Sequence, residues 1–184
     1  MRWTTHQIAG VGLAVVCGAA LDVPAANVLV LAGAACLGSV LPDADRAGSK
    51  VYRRTRLERR VWPVRLLGTV ARLPLRFLIL LGHRGLTHSL FASVLAGIVC
   101  WAAVSLVAPG VAVAAGVGLA LGYGAHVAAD ACTPSGVALW APLSRRRHWL
   151  LPRSARIPTG SLREVAVATL LLAASVAASV VLIG

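Results

Sequence analysis

A chain of 184 residues that is 58% hydrophobic and 13% charged, with a mean hydropathy of +0.81, lies far from soluble composition, where about a quarter of residues carry charge. That excludes an ordinary water-soluble domain and a disordered one, and leaves room for one compact, membrane-embedded helical domain over residues 1–184. The net charge of +12 points to anionic partners.

The first apolar run, Ile8–Leu21, follows Thr4 and Gln7, which have capping-box spacing. Pro24 separates it from the second run, Ala26–Leu41, which ends at Pro42. Both are shorter than the roughly 20 residues a spanning helix needs. Their glycines (Gly10, Gly12, Gly18, Gly33, Gly38) suit short helices packed closely on neighbours, or partly re-entrant ones. Residues 46–82 interleave basic and apolar side chains, with Arg65, Arg72 and Arg76 near helical spacing and Pro74 as a break. This predicts an amphipathic helix at headgroup level rather than a sixth span, since an arginine at a helix centre costs about 2.5–3.5 kcal/mol. Three longer runs follow: Ser89–Val107, Val111–Ala131 and Val165–Gly184, the last behind a second capping-box pair, Ser161 and Glu164. The expected fold is an all-α polytopic membrane helix bundle of about five spans plus an interfacial amphipathic helix.

If all five runs cross, residues 1–7, 42–88 and 132–164 share one side, and all 18 Lys and Arg residues fall there. The positive-inside rule makes that side cytoplasmic, with the N-terminus inside and the C-terminus outside. An alternative reading of the first 22 residues is a cleaved signal peptide, which would remove His6.

The same topology gathers polar groups at one end. His6 precedes the first span, "LPDAD" (Asp43, Asp45) ends the second, and "GHRGLTHSL" (His83, His88) precedes the third. His126 and Asp130, one helical turn apart in "HVAAD", end the fourth, and His148 follows it beside three arginines. Singly, each has a bland reading: an interfacial imidazole, a helix terminator, a hydrogen-bonded packing pair. Together, imidazoles and carboxylates from four helix ends match the ligand set of a divalent metal, most simply zinc, with manganese or iron as alternatives and one or two ions. His83 and His88, five apart, both point inward only if Gly85 and Thr87 mark a turn before a helix start. Of Asp43 and Asp45, one would bind metal while the other orients a ligand histidine. Cys17, Cys36 and Cys100 read as small buried residues, and Cys132, nearer the cluster, is an outside candidate.

"THQ", "LPDAD", "GHRGLTHSL" and "GYGAHVAADACTPSGVALWAP" in this order resemble the bacterial family of membrane-bound, metal-dependent hydrolases related to the LexA-regulated YdjM protein. The resemblance covers most of the chain and implies a metal-dependent hydrolase. A more distant similarity is to the helical zinc-dependent phospholipase C and single-strand nuclease fold, in which an H-x-x-x-D aspartate bridges metals. It implies that His126, Asp130, one of Asp43 or Asp45 and one of His83 or His88 hold one metal, while His6 and Asp130 help to hold a second. The chain lacks an H-x-x-x-E motif, so a complete third site is not implied.

The reading that follows is a hydrolase of a phosphoester on a lipid or isoprenoid phosphate, acting at the cytoplasmic face, with Asp43 and Arg84 as catalytic residues. Arg84 and the run Arg145–Arg147 would neutralise phosphate charge. The alternative is a non-catalytic membrane metal-binding, transport or sensor protein. Anionic headgroups are the expected partner and nucleic acid is disfavoured, because the basic residues alternate with membrane-seeking ones. Glycine-lined helix faces allow a homo-oligomer.

Overall fold

The computed structural model describes residues 1–45 and 86–183, and within them the chain is all-helical. Among the described residues five α-helices carry the architecture: α1 (Trp3–Ala20), α2 (Ala25–Gly38), α3 (Leu90–Ser105), α4 (Pro109–Ala131) and α5 (Leu162–Ile183). Each overlays one of the five apolar runs. No strand occurs among the described residues beyond an isolated bridge between Val137 and His148. The segment expected as an interfacial helix, with Arg65, Arg72 and Arg76, lies outside the described residues, as do His83 and Arg84.

Local chemistry explains where the helices stop and start. Asp22, at φ 49°, ends α1 in a Schellman turn: the Asp22 and Val23 amides return to the carbonyls of Ala19 (3.3 Å) and Gly18 (3.0 Å). Ser89 caps α3 by accepting the Ala92 N–H at 3.1 Å. Pro109 sits in the first turn of α4, where its missing N–H costs nothing.

Two expected capping boxes form differently. Arg2, not Thr4, is the N-cap of α1 and its side chain makes no capping bond, while Gln7 Nε2 donates to Cys36 Sγ at 3.3 Å. At α5, Ser161 Oγ does accept the Glu164 N–H (3.3 Å), but the Glu164 carboxylate reaches Gly160 and, across the bundle, α1. A carboxylate bonds whichever donors are nearest, and here the start of α1 offers one amide, that of the N-cap Arg2, and the Thr5 hydroxyl.

Among the described residues two helices, α4 and the Leu162–Val180 part of α5, are long and apolar enough to cross a membrane. The helices α2 and α3, at 14 and 16 residues, fall short of the roughly 20 that span a straight path. The helix α4 is the hub, packed on α1, α2 and α3, whereas α5 lies along α1 with most of its surface facing outward.

The α2–α4 contact is backbone on backbone. A Cβ placed on Gly118 would come within 2.2 Å of the Leu31 carbonyl oxygen, and one on Gly122 within 2.0 Å of that of Ala35. Small residues permit this approach, the usual way apolar helices gain packing contacts inside a membrane.

Candidate metal centre

The close α2–α4 seam continues directly into the polar cluster. Gly118, Gly122, His126 and Asp130 recur every four residues on one face of α4, opposite Leu31 and Ala35 of α2 and its C-cap Ser39, which share that spacing. At the third rung the contact becomes a hydrogen bond: His126 Nδ1 lies 2.6 Å from the Ser39 carbonyl oxygen. A carbonyl only accepts, so Nδ1 carries the proton and Nε2 presents its lone pair to the cluster.

Three further elements complete the arrangement. Helix α1 brings His6, whose ring stacks on His126 with centroids 3.7 Å apart and planes 14° from parallel. A 3-10 turn, Pro42–Asp45, carries Asp43. A second, Leu86–His88, delivers His88 just before α3, as a turn followed by a helix start requires. That second turn is fastened twice: Tyr123 OH donates to the Thr87 carbonyl (2.6 Å), and Thr87 Oγ1 sits 3.2 Å from His88 Nδ1.

Asp130 lies between the imidazoles. Its Oδ1 is 3.4 Å from His6 Nε2 and 3.0 Å from the Met1 amino group. Its Oδ2 is 3.7 Å from His88 Nε2 and 3.9 Å from His126 Nε2. Asp43 Oδ1 stands 3.9 Å from Nε2 of both His88 and His126. His6, His88 and His126 are at most 1% exposed and Asp130 is 3% exposed. The Asp43 side chain, at 34%, is the open edge.

These groups fit a divalent ion. Two sets of three, His6–His126–Asp130 and Asp43–His88–His126, each place one ligand atom per residue within 4.8 Å of the others. Zinc bonds of about 2.05 Å in a tetrahedron imply ligand atoms about 3.3 Å apart, and the separations of 3.4–3.9 Å between Nε2 and carboxylate oxygens come close to that edge. His126 Nε2 is buried, aimed into the cluster, and has no hydrogen-bond partner among the described residues. Burying such an atom is costly unless a ligand satisfies it.

Of the expected ligands, His6, Asp43, His88, His126 and Asp130 meet at this point. Asp45 closes its 3-10 turn, but its side chain, like His83 and Arg84, lies outside what is described. His148 and Cys132 belong to neither set. The backbone of His148 pairs with Val137 in the loop after α4, and Cys132 caps the C-terminus of α4. The supporting roles of Ser39 and Tyr123 escape sequence reasoning, whereas Thr87 is singled out there only as marking a turn. Tyr123, three residues before His126, is the one that left a trace: a hydroxyl in an otherwise apolar run.

A family model described as YdjM inner membrane protein matches residues 1–183, and the chain belongs to that family. No curated protein matches, and no solved structure matches. The similarity to the phospholipase C fold accordingly rests on the order of motifs alone.

Proposed function

We propose that this member of the YdjM inner membrane protein family is a metal-dependent hydrolase of a phosphoester on a lipid or isoprenoid phosphate. The observation that carries the proposal is the convergence of three imidazoles and two carboxylates, four of the five buried, in two overlapping sets of three whose ligand atoms lie within 4.8 Å of one another. A helix-packing pair needs two such groups, not five. In this reading His6, His88, His126, Asp130 and Asp43 hold one or two ions, with zinc favoured by the nitrogen-rich set. A divalent ion bound there supplies Lewis acidity toward a phosphoryl oxygen and a hydroxide nucleophile near neutral pH.

The chain's own residues do the rest. His126 is locked by Ser39 with Nε2 forward, which fixes the site without reorganisation. Asp43, at the open edge, is placed to take a proton from attacking water when it is not itself a ligand. Arg84 and the exposed run Arg145–Arg147 would neutralise the phosphate. A lipid substrate is favoured because the loop after α4 exposes Leu143 (92%) and Trp140 (51%) beside those arginines, the pairing of apolar and cationic groups that suits an anionic headgroup layer. A five-span topology with this end cytoplasmic and the C-terminus outside, as the arginine distribution favours, would put the cluster at headgroup depth.

The test is elemental analysis of protein purified without chelator, followed by a hydrolysis screen with phospholipid and isoprenoid phosphates. His126→Ala and Asp130→Ala should lose metal and turnover while still inserting into the membrane. Full turnover in both variants would refute the proposal.

A further inference from the structure

The three buried histidines are not held alike. His126 is fixed through Nδ1 by the Ser39 carbonyl, and His88 Nδ1 lies beside Thr87 Oγ1. His6 Nδ1 is buried with no hydrogen-bond partner among the described residues. Its ring is thus oriented by stacking on His126 and by the backbone of α1, not by a bond through its second nitrogen.

The backbone of α1 at that point is gripped from another helix. Glu164, in the first turn of α5, is 1% exposed. Its Oε1 accepts the Arg2 N–H and the Thr5 hydroxyl (2.9 Å), and its Oε2 accepts the Gly160 N–H (2.5 Å). The α1 N-cap has no side-chain cap of its own. A carboxylate supplied from α5 therefore does that work, satisfying an unpaired amide and placing negative charge at the positive end of the α1 dipole. Thr5, which it holds together with the N-cap Arg2, is the immediate neighbour of His6.

We infer that Glu164 is a positioning residue for the metal centre: by capping α1 from α5, it fixes the first turn of α1 and with it the approach of His6 to Asp130. The inference rests on the metal-site reading above and extends the site to a helix that contributes no ligand. It also explains why a costly buried carboxylate stands where an apolar contact would hold two helices together as well.

The test is a Zn²⁺ titration against a competing chelator, with Co²⁺ absorption spectra in parallel, on the full chain in detergent. The variants are Glu164→Ala, Glu164→Gln, His6→Ala and the His6→Ala/Glu164→Ala double. Glu164→Ala should weaken binding about tenfold, in the range known for residues that orient a ligand. Glu164→Gln, which keeps one acceptor, should recover part of the loss. In the His6→Ala background, Glu164→Ala should add less than about twofold, because its effect passes through His6. The Co²⁺ spectrum of Glu164→Ala should shift toward that of His6→Ala. Thr5→Val, a milder cut of the same clasp, should weaken binding in the same direction if Glu164→Ala fails to fold. Wild-type affinity in Glu164→Ala, or losses that multiply independently of His6, would overturn the inference while leaving the metal centre standing. A wild-type chain that binds no Zn²⁺ would overturn both.

Discussion

Replacing Gly122 by alanine tests whether the helix seam sets the geometry of the metal centre. The new Cβ would sit 2.0 Å from the Ala35 carbonyl oxygen and 2.6 Å from the Ala35 carbonyl carbon and Cα, all main-chain atoms that cannot swing aside. To reach even a tight contact of about 3 Å, α2 and α4 must part by about 1 Å. The His126–Ser39 bond lies one turn further along the same seam, at 2.6 Å, and the same parting stretches it to about 3.6 Å, where it ceases to be a hydrogen bond. Overpacking should cost about 1–3 kcal/mol of stability. Loss of the bond that fixes the His126 tautomer should weaken metal affinity by about 10–100-fold. Gly33→Ala and Gly110→Ala are matched controls, since a Cβ at either meets nothing within 4 Å, and both should bind as wild type. The assay is a Zn²⁺ titration with a chromophoric competitor, alongside thermal unfolding in detergent. If Gly122→Ala is folded and binds Zn²⁺ as tightly as the controls, the seam does not position His126 and the reasoning fails.

Two further outcomes follow from the same contacts. Tyr123→Phe removes the bond to the buried Thr87 carbonyl, at a cost of about 0.5–1.5 kcal/mol. Because that turn carries His88, Zn²⁺ affinity should fall about tenfold, and an unchanged titration would count against the role given to Tyr123. Stripping the metal with a chelator should lower the unfolding temperature. An ion present at a hundredfold its Kd adds about 2.7 kcal/mol, or roughly 5–10 °C for a chain of this size. A sample shown by elemental analysis to have lost its metal, yet melting at the wild-type temperature, would detach the cluster from folding.

Residue type made part of this legible in the sequence and contact geometry kept part of it hidden. The five helices could be read because apolar runs bounded by proline, serine and glycine leave the backbone little alternative. His126 and Asp130 could be paired because four residues along a helix is a fixed vector. Joining them to His6, Asp43 and His88 required only that helix ends alternate between the two sides of a bundle. The supports were hidden for a different reason. The Ser39 contribution is a main-chain carbonyl, which every residue has, so no side chain announces it. Glu164 looked like a local cap because Ser161 stands three residues before it. Local spacing cannot register that the first turn of α1 offers an uncapped amide and a hydroxyl at the same place.

The four-residue rhythm of α4 joins the legible and hidden parts. Gly118 and Gly122 on their own are a packing motif, and His126 and Asp130 on their own are a candidate ligand pair. Placed on one face they become a single device, because the glycines set how far α2 stands from α4 and that distance decides whether the Ser39 carbonyl meets His126 Nδ1. A larger residue at either glycine position should move the candidate ligand His126 without touching it. A polar residue at either would bring a side chain into the seam that has no room to be satisfied. Two glycines followed by a histidine and an aspartate at this interval therefore carry more than the sum of the two motifs: they specify a helix pair held at one distance, with a candidate ligand locked at the end of the contact.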